Sequence, residues 1–585
     1  MESWNITKLP FVAYALVGLA AIAFLPTLAP SAPTASDSYL FGYNNRVGIS
    51  LLLLLVAIGV VWTKGIKFGF RSEGASRLVP NRTLAFSLIT VLTGCVIMYL
   101  FAGRYGGFGE SYYLIDRARL LAEGKAPYRD FQFSYGAALL YGPVVIDFLF
   151  RTGIANAYYI FWMSNFLLGT FLLFKSVNMV DYPTPRKRQI FLLLYFAGLF
   201  AIIRMGTNYT FLRFVPALFF VLVIQRMFKN PADRWNAGPV LASVLFAAIL
   251  ILISPETALA FAFACVWICL FLRGETALGR GANVATLLAG FSIVFWTAKE
   301  FHVLDTVLAD AGGADDFPIM MAPHILVFFF AVFVCGCYVY WRIRDRRLRD
   351  NTIGLIGYSL PTLAAALGRC DPSHVYWNGL AVFLASMFYV SNRAKAWALY
   401  ACAFLLFVML LPNAAEFYLF VPKQLSGVVY LNNHPEERSK NKDVLDLFPN
   451  YSGKLLAPFG YRPDGLGTLV SARIDYGRYE DLTNVYTPRS VAEKVEEMRQ
   501  SPEKALVLPE HAFDLCRTNP RKERHYLSVL FVFPYFGRAV HPESVQDPIC
   551  DYIREKYRVE QEPSQETFWY GIWVPKLTDR LQEAR

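Results

Sequence analysis

The chain has 585 residues, 55% of them hydrophobic, 16% aromatic and only 17% charged, with a mean hydropathy of +0.36, which excludes an ordinary soluble multidomain protein. A net charge of +11 raises nucleic acid as a partner, but the basic residues fall in short clusters between apolar runs, as in the cytoplasmic loops of a membrane protein. The nine cysteines include no Cys-x-x-Cys pair and no metal-type spacing with histidine.

A bilayer core of about 30 Å takes roughly 17 to 25 apolar residues per helix. On that measure, spans are predicted near residues 11–29, 48–63, 83–103, 156–175, 188–204, 209–226, 237–254, 256–272, 284–301, 323–342, 352–369, 375–391 and 395–412. The expected fold is thus a polytopic α-helical membrane protein of about thirteen spans, whose first apolar run is a retained helix rather than a cleaved signal.

The apolar piece at 135–150 decides the sidedness of everything after it. If it does not cross, the clusters at Lys64 to Arg82, Arg186 to Arg188, Arg226 to Arg234, Arg273 to Arg280, Arg342 to Arg349 and Arg393 to Lys395 share one face, which is the cytoplasm. If it crosses, the basic runs at Arg186 and Arg342 lie outside. The piece is therefore read as a helix in or dipping into the outer interface, interrupted by Gly136, Gly142 and Pro143. The N-terminus is then inside. The loop 104–152, the turns at 204–208, 254–256, 299–323 and 369–374, and everything after Asn413 face outward.

Past residue 412 the composition turns charged and punctuated by Pro, Gly and Asn. Strand-like pieces at 454–459, 506–508 and 529–533, with a helix over Pro488–Gln500, predict a small extracytoplasmic α/β domain, 413–585, beside a transmembrane unit, 1–412. Cys516 and Cys550 fall in this polar part, where a disulfide and two free thiols both remain open.

The candidate chemistry collects in the outward loops. Glu110 follows Gly106-Gly107-Phe108-Gly109 directly after a span, so flexible backbone sets a carboxylate at the outer surface, either as a catalytic group or as a helix-capping acid. Ser111, Tyr112 and Tyr113 begin a helix that carries Asp116, which acts at the site or pairs with a neighbouring cation. Asp130, in Pro127-Tyr128-Arg129-Asp130-Phe131, is an active-site acid or a tether of the turn.

The string GESYYLIDRARLLAEGKAPYRDFQFSYG, residues 109–136, resembles the first external loop of the GT-C superfamily of integral-membrane glycosyltransferases, in the group of protein mannosyltransferases, lipid A aminoarabinose transferases and arabinofuranosyltransferases. That family usually carries Asp or Asp-Glu where Gly109-Glu110 stands. The resemblance implies an inverting transferase in which an external carboxylate deprotonates an acceptor hydroxyl for attack on a polyprenyl-phosphate sugar. Glu110 is the expected base, assisted by Asp116 or Asp130.

The leaving phosphate needs outward cations. Arg204 and Arg213, in IIRMGTNYTFLRF, meet that need, although Arg204 also suits a snorkelling role at the headgroups. Tyr112, Tyr128, Glu256, Arg369, Asp371 and His374 are the expected substrate-binding residues; capping explains Asp371, and stabilisation of a helix N-terminus explains Glu256, equally well. No metal site is assigned, because Asp371-x-x-His374 offers too few ligands, and a divalent metal is left open as cofactor. The expected partners are a polyprenyl-phosphate sugar donor, an extracytoplasmic glycan, lipid or protein acceptor, and membrane lipids. The expected location is a bacterial inner membrane with the site facing the periplasm. A transporter or flippase of a lipid-linked glycan, or a non-catalytic scaffold, would share the many spans and outward arginines, but a transporter should carry ionisable residues near span centres.

Overall fold

The computed structural model describes residues 45–64, 77–102, 111–131, 133, 135–182, 184–201, 206–228, 237–271, 277–305, 323–344, 352–368, 372–393, 398–411, 455–458, 488–509, 513–514, 516–517, 547–564 and 570–576, with a few positions between 13 and 20. The predicted strand at 529–533 and most of the predicted first span lie outside them. Helices α1 (Asn45–Trp62) and α2 (Asn81–Ala102) precede two loop helices, α3 (Ser111–Ala122) and α4 (Ala138–Phe150). Then come α5 (Ile154–Met179), α6 (Lys187–Phe200), α7 (Phe211–Phe228), α8 (Ala237–Ile253), α9 (Pro255–Phe271) and α10 (Ala277–Glu300). The helical part closes with α11 (Pro323–Arg344), α12 (Thr352–Gly368), α13 (Pro372–Asn378), α14 (Leu380–Arg393) and α15 (Ala398–Leu411).

Among the described residues, four segments, Asn81–Leu100, Ile154–Met179, Thr207–Phe228 and Leu278–Glu300, are long and apolar enough to cross a bilayer, and shorter apolar helices of 10–17 residues accompany them. Their polarity is that of a membrane-embedded bundle: Phe86, Ile89 and Leu100 on α2 and Ile293 and Trp296 on α10 are exposed apolar side chains, a surface that water disfavours and lipid accepts. The interior is aromatic and close-packed. Phe211 stands edge-on to Phe166 and Trp377, and both Gly169 and Gly198 abut it so closely that a Cβ at either would overlap its atoms.

The expected span at 375–391 covers most of α13 and α14, which adjoin at Gly379 with the helical hydrogen bonds continuing through it, from Gly379 N–H to the Val375 carbonyl (2.9 Å) and from Phe383 N–H to the Gly379 carbonyl (3.0 Å). A Cβ at Gly379 would overlap the Val375 carbonyl oxygen and the Phe328 ring.

Hydrogen bonds sort the helix ends into two groups. At one end, Val79 N–H donates to Asn178 Oδ1 (2.8 Å), Lys187 Nζ to the Val180 carbonyl (2.6 Å), Arg186 to the Ser391 carbonyl (3.2 Å) and Arg226 to Asp181 (3.1 Å). This is the end rich in cations, where Lys187 also satisfies the carbonyls left open at the C-terminus of α5. At the other end Tyr99 donates to Asn156 (3.0 Å), and Thr207 N–H to the Tyr158 hydroxyl (3.1 Å). Helix α2 therefore leaves the basic end and α5 returns to it, so the connection between them starts and finishes at the opposite end. Helix α4, at 13 residues, is about 20 Å long, and its Gly142 lies against Phe161 of α5. The turn that folds it back uses Arg151 and Gly153 at φ 52° and 83°, with the Asp147 carboxylate accepting from Gly153 N–H at 2.6 Å.

A second, separate core unites Leu456, Leu506, Leu508, Phe513, Ile549, Ile553 and Trp573. Strands β1 (Leu455–Leu456), β2 (Ala505–Pro509), β3 (Tyr557–Gln561) and β4 (Tyr570–Pro575) form a sheet of order β1-β2-β4-β3, parallel between β1 and β2 and antiparallel elsewhere. Helices α16 (Pro488–Gln500) and α17 (Asp547–Lys556) join it. Val491, Val495 and Met498 form the buried stripe that their spacing predicts; Lys494 falls on the same stripe, fully buried, with Nζ on Glu497 at 2.8 Å. Cys516 and Cys550 form a disulfide.

Candidate functional site

The site is built where the connections before α7 and α9, the first turn of α13 and the 111–137 segment meet. Helix α8 ends at Ile253 and α9 begins at Pro255, a residue suited to the first helical position because it lacks an N–H. This leaves Glu256 in the first turn of α9, where the free N–H groups favour a carboxylate. The next connection, Thr207–Tyr209, is a single 3-10 turn, after which Thr210 Oγ1 donates to the Thr207 carbonyl (3.0 Å) and α7 starts at Phe211. Arg213 thus lies in the first turn of α7, where the same dipole disfavours a cation.

The two residues resolve each other's problem. Arg213 Nη2 forms an ion pair with Glu256 Oε1, and Nη1 donates to the Asn208 carbonyl at 2.7 Å. The guanidinium carbon lies 4.6 Å from the Tyr135 ring centroid, 4.9 Å from Phe214 and 5.7 Å from Tyr209, so aromatic faces enclose the charge. The Arg213 side chain is 10% exposed and that of Glu256 22%, which makes the pair a partly buried one.

The loop is fastened over it. Asn208 Nδ2 donates to the Tyr135 hydroxyl (2.9 Å), and the Tyr128 hydroxyl donates to the Tyr135 carbonyl (2.6 Å). Gly136 presses on the end of α8, where a Cβ would overlap the Leu252 carbonyl oxygen. Tyr128 itself has φ 68°, a left-handed conformation held by its N–H bond to the Phe131 carbonyl (2.9 Å). From the first turn of α13, His374 Nε2 shares a hydrogen bond with the Tyr209 hydroxyl, the rings meeting edge-on at 4.8 Å.

Among the predicted site residues, Arg213 and Glu256 are in direct contact, His374 is linked through Tyr209, and Tyr128 through Tyr135. Asp130 is placed differently. Its Oδ2 accepts from Ala126 N–H (2.8 Å) and its Oδ1 from Arg129 Nε (2.8 Å), on the exposed side of the turn. The hydrogen bond from Arg129, then that from the Ala126 N–H, pulls its carboxyl down to about 2. Of the two roles open to Asp130, the geometry is that of the turn tether. Glu110, Arg204, Arg369 and Asp371 lie outside the described residues, as do the side chains of Tyr112 and Asp116, whose backbones belong to α3.

Sequence reasoning missed Tyr135, Thr207, Asn208 and Tyr209. Their signal was faint: polar and aromatic residues stand at the rims of apolar runs throughout the chain, and none carries charge. What distinguishes them is convergence, which only the packing of α5, α7, α8 and α13 produces. No protein-family model, characterised protein sequence or solved structure matches this chain.

Proposed function

We propose that the protein is an inverting glycosyltransferase that moves a sugar from a polyprenyl-phosphate donor to an extracytoplasmic glycan, lipid or protein acceptor. The observation that carries this reading is Arg213, an aromatic-walled guanidinium at the rim of a membrane-embedded bundle, under a loop whose sequence resembles that of the GT-C enzymes. Arg213 and Arg204 take the donor phosphate. Glu110 removes the acceptor proton, with Asp116 assisting and Asp130 holding the loop. His374, Arg369, Asp371, Tyr112 and Tyr128 line the sugar and acceptor side.

On this reading the bundle has about thirteen spans in a bacterial inner membrane, its basic end cytoplasmic and its site periplasmic. The Cys516–Cys550 disulfide supports an oxidising compartment for the C-terminal domain. Transfer from a radiolabelled polyprenyl-phosphate sugar in proteoliposomes tests the proposal. Removing the base by Glu110→Gln should slow transfer by about 10²-fold or more. Unchanged transfer would remove Glu110 from that role, and no transfer from any lipid-linked donor would return the chain to the transport or scaffold readings.

A further inference from the structure

Resting on the donor-phosphate reading of Arg213, we infer that Glu256 is an internal competitor for the donor: it occupies half of the seat that the phosphate takes, and donor binding displaces it. The inference comes from how the guanidinium is used. An arginine offers an oxyanion its side edge, Nε and Nη2 together, as a two-point contact. Here Glu256 reaches only Nη2, through one carboxylate oxygen, while Nη1 is engaged by the Asn208 carbonyl. Nε is buried and has no hydrogen-bond partner among the described residues.

Two more buried polar atoms without a partner among the described residues lie on the same connections. Thr207 Oγ1 is next in sequence to Asn208, and Ser254 Oγ is two residues from Glu256; both residues are fully buried. Buried polar atoms are costly to leave unsatisfied, and three on the connections that carry Arg213 and Glu256, none with a partner among the described residues, mark a seat with room for an added acceptor. A phosphodiester supplies the missing acceptors: one oxygen for Nη2, one for Nε, and capacity left for a hydroxyl. Its single negative charge replaces that of Glu256 on Arg213.

The exchange has a consequence for the carboxylate. Once released, Glu256 still sits in the first turn of α9, whose free N–H groups offset part of the pairing it gives up. The resting ion pair keeps Arg213 compensated while the site is empty, and the ligand inherits that compensation. No covalent step is involved.

Calorimetric titration of the full-length protein in detergent, with a long-chain alkyl methyl phosphodiester as probe, tests this. Because the probe keeps one charge across neutral pH, its own titration does not enter. Glu256→Gln should bind the probe at least tenfold more tightly than the wild type, since the neutral amide holds Nη2 less strongly. Arg213→Gln in the Glu256→Gln background should lose that gain and fall below the wild type, with unchanged thermal melting as the check on folding. Equal or weaker binding by Glu256→Gln, with the wild type binding normally, overturns the inference and leaves the donor-phosphate reading standing. Absence of binding to both proteins overturns that reading and the inference with it. Dimethyl phosphate in a parallel titration separates the seat from the lipid: tighter binding by Glu256→Gln with equal affinity for the two probes upholds the competition and assigns a soluble anion instead of a lipid.

Discussion

Arg213 and Glu256 each occupy the first turn of a helix, but only the acid is suited to that place, so the cation depends on its partner. Arg213→Gln strands a partly buried carboxylate and is expected to cost about 3 kcal/mol, the lower end for a broken buried pair; the double change with Glu256→Gln should recover most of it. Thermal or denaturant unfolding of the three variants in detergent measures both figures. Asp130 behaves differently, because its carboxylate is exposed and acts locally. Its folded pKa is lowered, so its contribution is present above the ordinary carboxyl range and fades as pH falls from about 4 toward the folded value. The 126–131 turn should therefore stay ordered at neutral pH and fray only in that acidic window. Asp130→Ala should raise hydrogen exchange at the Ala126 amide already at pH 7 while slowing sugar transfer less than Glu110→Gln does.

At the scale of elements, the loop is placed by close backbone approach as much as by hydrogen bonds. Gly136→Ala would drive a Cβ into the Leu252 carbonyl and the Ile253 backbone, atoms that cannot swing aside, and is expected to destabilise by about 3 kcal/mol while weakening activity through displacement of Tyr135. Gly94 in α2 has nothing within 4 Å of a built Cβ, so Gly94→Ala should be neutral or mildly stabilising. Comparing melting of the two variants separates a packing glycine from an incidental one. A separate helix over 135–150 was legible in its apolar run. The need for a glycine at 379 was not legible, because an apolar run carries no mark of the Phe328 ring that fills the space beside it.

For the whole molecule, two cores form from one chain: an aromatic helical bundle and a small sheet domain. The disulfide joins residues 34 positions apart, and closing such a loop is worth about 4 kcal/mol in the chain-entropy estimate. Cys516→Ser should lower the stability of the C-terminal domain by roughly that amount, and reductant should reproduce the loss in the wild type but not in the variant; limited proteolysis with and without reductant measures it. Of this sheet the sequence showed β1, β2 and helix α16, whose alternation or helical spacing is local. It did not show β3 and β4. Tyr557–Gln561 reads as charged and polar because, at the edge of the sheet, most of its side chains face water.

By itself the sequence determined the features that composition and period impose: apolar runs of membrane-spanning length, basic clusters that sort the loops to two ends, a polar loop after α2, and a polar C-terminal part with its own core. These are properties of neighbouring residues, and the cost of placing charge or bare backbone in lipid enforces them whatever the helices later touch. Only the tertiary structure decided which rim residues meet. Arg213 and Glu256 are 43 residues apart, and Tyr209 and His374 are 165 apart. Their contacts depend on the order in which helices pack, which no local spacing encodes. The same packing made Tyr135 a wall of the site and left Arg213 with one edge half filled.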